Sequence, residues 1–254
     1  MSLDPERIQS ILAAPHAYYG SGEIPIRKDT RFHPGATTVL IQNLPPGARL
    51  LDVGCGNGEI LLELSPYIQE GVGIDNNPDH IRLAEQARRA ARAANLAFLL
   101  LDFPGGCGTL ADGSFDLLCS LRGPVGDSPQ NLQAALRLLR EDGMLFIEEI
   151  GERHQLEARS IFGDPADVPS KSPLLGWMEH AGVEVRLAAE IFTKWIYPDF
   201  YAWFAYQCNL WTWLGKPLPA VDDPRLEQFA VRFSGENGEI STTHHVTWVA
   251  GIKR

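Results

Sequence analysis

Within this chain of 254 residues, Gly54-Cys55-Gly56-Asn57-Gly58 is the stretch whose composition and setting point to chemistry. The apolar run Leu50–Val53 leads into it and a helical pattern follows, so the glycines occupy a strand-to-helix turn. Glycine there lets a bound molecule approach the backbone and reaches angles that other residues avoid. Asp75 closes the next apolar run, where a carboxylate can accept both hydroxyls of a ribose. Plain turn glycines, and a helix cap at Asp75, are the structural alternatives. In the G-x-G-x-x-G pattern of dinucleotide enzymes the third glycine would stand at position 59. Here Glu59 stands there and Gly58 comes one place early, which argues against a nicotinamide dinucleotide.

Ligands of open α/β sheets sit outside the carboxyl ends of the strands. Acid–base candidates therefore lie after the fourth strand of the pattern, at Ser120 and Arg122, and after the fifth, at Glu148, Glu149, Glu152 and His154. Surface or salt-bridge roles compete for each, and no catalytic residue is singled out. His244 and His245 are neighbours on a strand and point to opposite faces, so they cannot share a metal. The four cysteines, Cys55, Cys107, Cys119 and Cys208, show no C-x-x-C pair and no zinc spacing. Free thiols and no metal are expected, with Cys55 and Cys119 as small buried fillers.

The elements that must position these residues alternate between short apolar runs and helical patterns from about Arg49 to Glu149, which predicts a parallel sheet with helices on its faces. Strands are expected at Leu50–Val53, Val72–Asp75, Ala97–Leu101, Phe115–Cys119 and Met144–Glu148. Asn77 and Pro78 open a helix whose stripe is Ile81, Ala84, Ala87, Ala91 and Ala94, with Arg82, Arg88, Arg89 and Arg92 on a solvated face. Ser128-Pro129 opens another, which Glu141-Asp142-Gly143 ends before the fifth strand.

The run Asp52-Val53-Gly54-Cys55-Gly56-Asn57-Gly58 resembles the first motif of class I S-adenosylmethionine-dependent methyltransferases. Gly73-Ile74-Asp75-Asn76-Asn77 is similar to their second motif and Leu101-Asp102-Phe103 to the third. Ser114-Phe115-Asp116-Leu117-Leu118 resembles the fourth, and Leu138 to Leu145 the turn into strand five. The resemblance covers about residues 45–150. It implies a doubly wound, seven-stranded, mostly parallel sheet with an antiparallel last strand and helices on both faces; the final two strands are assigned to Val183–Ala189 and Thr243–Ile252. It also implies S-adenosylmethionine as cofactor, held by Asp52, Gly54, Cys55, Gly56, Gly58, Asp75, Asn76, Asp102, Phe103 and Ser120. In that scheme Asp75 takes the ribose, Asn76 lies near the adenine, Asp102 accepts the adenine amino group and Phe103 packs beside the ring. Asp102 followed by Phe-Pro-Gly-Gly also reads as an ordinary turn opener. After the fourth motif, Cys119-Ser120-Leu121-Arg122 lacks the Asn-Pro-Pro-aromatic run of amine-directed DNA and glutamine methyltransferases. A small or medium-sized metabolite is the expected acceptor. An RNA or protein methyltransferase, or a Rossmann-like nucleotide-binding protein without methyl transfer, is the alternative.

The net charge of −10 disfavours nucleic acid as a partner. No run approaches the roughly 18 apolar residues of a membrane span, and the N-terminus has no apolar signal core, so the expectation is a soluble, cytoplasmic protein. One domain over 1–254 is expected, with an N-terminal helical cap (1–44), a cofactor-binding core (45–150) and a helical, aromatic-rich insertion (191–240). Ten of the 23 aromatics fall between Phe192 and Trp213. A helix after Pro198 carrying Phe200, Tyr201, Trp203, Phe204, Tyr206, Trp211 and Trp213 is too apolar for a surface with only one face covered. It is either core, packed near Tyr18 and Tyr19, or a lid over an acceptor pocket with Ile24–Gly35 as its mobile counterpart.

Overall fold

The computed structural model describes residues 3–14, 24–29, 35–163 and 173–254. Tyr18, Tyr19 and residues 30–34 of the Ile24–Gly35 stretch lie outside the described residues. Among the described residues, eight strands form one sheet in the order β1-β7-β8-β6-β5-β2-β3-β4. They are β1 (Arg27–Asp29), β2 (Arg49–Val53), β3 (Glu70–Asp75), β4 (Leu96–Leu100), β5 (Phe115–Leu121), β6 (Leu139–Ile150), β7 (Val183–Tyr197) and β8 (Ile240–Lys253). The pairs β2–β3, β2–β5, β3–β4 and β5–β6 are parallel, whereas β8 runs antiparallel to β6 and β1 antiparallel to β7.

The strand count corrects the seven expected. β7 continues past Ala189 to Tyr197 because Ile191, Phe192, Thr193, Trp195, Ile196 and Tyr197 are β-branched or aromatic and suit a pleated surface. This extension gives Arg27–Asp29 an edge to pair with, at Lys194–Ile196. The aromatic segment therefore begins in a strand, and only its later part is helical.

Helices are α1 (Pro5–Ala13), α2 (Ala36–Asn43), α3 (Glu59–Leu64), α4 (Pro78–Ala91) and α5 (Pro129–Leu138), followed by α6 (Leu156–Phe162), α7 (Leu174–His180), α8 (Phe200–Trp213) and α9 (Pro224–Phe233). The expected caps form: the Asn77 side chain accepts the Asp79 amide, and Ser128 Oγ accepts the Asn131 amide at 3.1 Å. Asp199 caps α8 by accepting the Ala202 amide at 2.8 Å. Two local expectations change. The α4 stripe holds at Ile81, Ala84 and Ala87, but Ala91 and Ala94 are exposed, because the helix closes at Arg92 in the left-handed region (φ 55°) and turns Ala93 inward instead. Glu141-Asp142-Gly143 lies inside β6, as a register shift opposite Asp116, because Leu139 already pairs with Phe115 before Met144 resumes the ladder at Leu117.

Two compact units divide the described residues. The first contains α1, β1, α6, α8, α9, β7 from Phe192 and β8 up to His245. The second contains α2–α5, α7, β2–β6, β7 through Ile191 and β8 from Val246. Strand residues of the second unit alternate between two hydrophobic clusters: Leu51, Leu118 and Ile147 join α5 and α7, while Leu50, Cys119 and Phe146 join α2, α3 and α4. That alternation is the period of two expected for a sheet covered by helices on both faces. The first unit has its own core, in which Trp195, Tyr197, Phe200, Trp203, Phe204 and Phe229 are buried. No described helix is long and apolar enough to cross a membrane.

Candidate functional site

Because β2 to β6 are mutually parallel, their carboxyl ends share one edge of the second unit, and the glycine turn leaves that edge at the end of β2. Gly54, Gly56 and Gly58 have φ of 77°, 54° and 81°, angles that favour glycine. The Gly54 and Cys55 amides both donate to the Ile74 carbonyl, at 2.9 and 3.0 Å, and the Gly58 amide donates to the Cys55 carbonyl. Part of the demand for glycine comes from the protein itself. A Cβ on Gly58 would stand 2.5 Å from the buried Phe98 ring, and one on Gly54 3.0 Å from the Gly123 backbone.

Asp75 ties this turn to the start of α4. Its Oδ2 accepts the Gly56 amide at 3.0 Å, its Oδ1 accepts the Asn77 amide at 2.9 Å, and His80 Nδ1 lies 3.1 Å from Oδ1. Burial raises the carboxyl, but the hydrogen bonds from His80, Asn77 and Gly56 outweigh it and hold Asp75 below the usual carboxylate value. His80 was not anticipated from the sequence. The signal was its place five residues after Asp75, in the first turn of a helix whose cap fixes that turn against the carboxylate.

Asp102 follows β4 and is exposed; Asn76 Nδ2 lies 3.5 Å from its Oδ1. Its carbonyl also accepts the Gly106 amide, so the turn-opener reading and an available carboxylate coexist. Phe103 is partly buried and packs on the α5–α7 side of the core. Asp52 is almost fully buried, with the Cys119 thiol donating to Oδ1 at 3.5 Å. Burial, opposed by that thiol and reinforced by Asp75, pushes its carboxyl up to about 7. Cys55 and Cys119 are buried fillers as expected, and burial raises both thiols well above their ordinary value. Ser120 has no exposed surface, and its hydroxyl donates to the Val53 carbonyl at 2.9 Å, bracing β5 against β2.

The acid–base candidates separate. Glu148 is buried: its Oε2 accepts the Trp248 indole N–H at 2.7 Å, and Oε1 lies 3.3 Å from Arg122 Nε. Glu149 packs against Gly126, whose Cβ would lie 2.5 Å from Oε1. Glu152 is exposed. His154 belongs to the first unit, edge-on to His244 at 4.8 Å and to Trp195 at 6.3 Å. There His244 stacks on Trp195 and His245 on Phe192, the opposite-face arrangement that their adjacency requires. Among the described residues no group of three or more His, Cys, Asp or Glu is placed to hold a metal.

The model of a family described as a methyltransferase domain matches residues 44–182. The chain is 30% identical over 121 residues to a malonyl (acyl-carrier protein) O-methyltransferase of Paenibacillus sp. (strain JDR-2), a match covering 46% of this chain and 44% of that protein. It is 24% identical over 225 residues to a 2-methyl-6-phytyl-1,4-hydroquinone methyltransferase of Synechocystis sp., covering 80% of this chain and 68% of the relative. The chain thus spans less than half of the first relative's length. Its fold is similar to that of a SAM-dependent methyltransferase from Geobacter sulfurreducens solved with S-adenosyl-L-homocysteine (TM-score 0.54, 19% identity, 98% of each chain). It is also similar to the fold of the YcgJ protein of Bacillus subtilis (TM-score 0.57, 20% identity, 86% of this chain and 97% of that one).

Proposed function

The chain belongs to the methyltransferase domain family, the class I S-adenosylmethionine-dependent enzymes, and from that footing we propose that it methylates a small or medium-sized metabolite in the cytoplasm. The observation that carries the reading is the hydrogen bond from Gly56 to Asp75, which closes the glycine turn onto the carboxyl end of β3 at the sheet edge where such folds take ligands. The names of two relatives, a malonyl (acyl-carrier protein) O-methyltransferase and a 2-methyl-6-phytyl-1,4-hydroquinone methyltransferase, support a small acceptor group. So does the acidic balance of the chain. Four buried thiols suit a reducing compartment.

In this reading the residues at the edge fit the cofactor. A carboxylate has about four acceptor sites, and Asp75 uses three on its own protein. That leaves room at Oδ2 for one ribose hydroxyl rather than both. Asn76 and the exposed Asp102 present an amide and a carboxylate side by side, suited to the adenine edge, and Phe103 follows Asp102 in the chain. Ser120 and Asp52 act from the interior by holding the ends of β2 and β5 together. When bound, S-adenosylmethionine supplies a methyl group on a sulfonium whose leaving group departs neutral. The chain's part is mostly alignment, which supplies roughly 7–11 kcal/mol in the best cases.

Calorimetry with S-adenosylhomocysteine, NAD and ATP tests this. The expected result is binding of S-adenosylhomocysteine alone, weakened at least fivefold by Asp102→Ala with an unchanged melting temperature, because that carboxylate is exposed. Preference for NAD or ATP would sink the reading, and full affinity in Asp102→Ala would remove that residue from the site.

A further inference from the structure

His80 stands at the third position of α4, a helix capped by Asn77 and opened by Pro78. In a capping box a glutamate or glutamine at that position reaches back to the amide of the capping residue. Here the Asn77 amide is already given to Asp75 Oδ1 at 2.9 Å, and His80 turns to the same oxygen, which its Nδ1 meets at 3.1 Å. An ionised carboxylate only accepts, so Nδ1 carries the hydrogen. The two side chains are 11% and 10% exposed, which leaves water little chance to replace the bond.

Of the three donors on Asp75, the Gly56 and Asn77 amides belong to the backbone and only His80 is a side chain. The torsion that turns a carboxylate about its last bond is broad and roughly twofold, so the donors around it set where its oxygens point. Gly56 holds Oδ2 from the glycine turn, while Asn77 and His80 hold Oδ1 from the start of α4. Packing fixes α4 against that turn. A Cβ on Gly58 would stand 3.2 Å from Cβ of Ala84, which lies one helical turn beyond His80 on the same face and is buried with it. The imidazole therefore acts from a fixed base. It leaves Asp75 one open acceptor place, on Oδ2, in a direction that the three bonds dictate.

We propose that His80 is a positioning residue that, by holding Oδ1, aims the remaining acceptor place of Asp75 at a single ribose hydroxyl. The inference rests on the methyltransferase reading above, which sets a ribose against Asp75. His80 touches no ligand in this scheme, and its whole effect passes through the carboxylate. The two hydroxyls of the ribose are then unequal to this chain: Asp75 reads one and leaves the other.

The test is a cycle that pairs a change of side chain with removal of a ligand hydroxyl. S-adenosylhomocysteine and its 2′-deoxy and 3′-deoxy analogues are titrated by calorimetry into the full chain as wild type, His80→Met, His80→Gln and His80→Asn, with melting temperatures recorded for each. Methionine fills the space without a donor, glutamine carries its amide one bond farther out, and asparagine sets its amide nitrogen where Nδ1 stands. On the wild type one deoxy analogue should bind about tenfold more weakly than the parent, the worth of a hydrogen bond to a charged group, and the other within about threefold. In His80→Met and His80→Gln the tenfold penalty should shrink to about threefold or less, whereas His80→Asn should keep it. Lost packing alone weakens parent and analogues together, so an unchanged ratio between them in a folded methionine or glutamine variant overturns the proposal. Should His80→Met not fold, the contrast between His80→Gln and His80→Asn decides it. A wild type that binds S-adenosylhomocysteine but treats the two hydroxyls alike also overturns the positioning role and leaves the methyltransferase reading standing. Failure of the wild type to bind S-adenosylhomocysteine would overturn that reading itself, and the positioning role with it.

Discussion

Asp52 and Asp75 are carboxylates at the ends of adjacent strands, and their surroundings push them in opposite directions. Asp75 accepts two backbone amides and lies against His80, so its charged form is favoured in the folded chain. It contributes stability above the ordinary carboxylate value, which is lost as the pH falls through its lowered folded value. Asp52 is the reverse case, because burial keeps it protonated up to about 7 while the unfolded chain releases that proton near 3.8. Between those values the folded state holds one more proton than the unfolded state, so stability falls as the pH rises from about 4 to 7 and then levels. Three units of difference correspond to roughly 4 kcal/mol. Denaturant midpoints measured from pH 4.5 to 8 should therefore fall for the wild type and stay flatter for Asp52→Asn. Parallel profiles for the two proteins would rule out a proton on Asp52.

At the scale of elements, α8 shows why a helix can be apolar on most of its circumference. Trp203 is fully buried and stacks on Phe229 of α9, with ring centroids 3.6 Å apart, while Tyr206 meets Trp195 of β7 edge-on at 5.6 Å. Tyr201 is different: it is only partly buried, its hydroxyl accepts the Asp4 amide at 2.7 Å, and the Arg7 guanidinium covers its ring at 3.7 Å. Truncating the two should separate core from surface. Trp203→Ala should cost about 3–5 kcal/mol of stability, the usual range for a large buried aromatic, whereas Tyr201→Ala should cost about 1 kcal/mol. Equal costs in urea unfolding would contradict this division of the helix. Acceptor turnover in Tyr201→Ala, where the fold survives, then tests whether this helix serves as a lid.

Over the whole molecule, the net charge of −10 and the acidic edge around Asp75 and Glu149 bear on which partners can approach. Nucleic acid binding depends on lysine and arginine displacing counterions. Many of the arginines here are already paired: Arg88 with Glu85, Arg140 with Asp116, Arg225 with Asp223 and Arg254 with Glu184. Polarisation assays with tRNA and duplex DNA at low salt should show no tight complex. A micromolar complex that weakens steeply with added salt would reverse the preference for a small acceptor.

Features carried by neighbouring residues are legible in the amino-acid sequence itself. The strands β2 to β6 appear as compact apolar runs, Asn77 and Ser128 announce their helices, and the glycine turn with Asp75 after it marks the ligand edge, because periodicity, capping and backbone freedom are set within a few residues of chain. The determinants that escape such a reading are non-local. Arg122, Glu148 and Trp248 meet only because β6 pairs with β5 on one side and with β8 on the other, in a register that sets Glu148 opposite Trp248, one hundred positions away. The additional strand β1 exists only because the end of β7 offers Arg27–Asp29 an edge, and the proton on Asp52 depends on the tertiary burial that surrounds it. Local spacing determined the motif and its elements. Register, pairing and burial decided which side chains face one another there and in which charge state, because those depend on contacts between segments that no local pattern encodes.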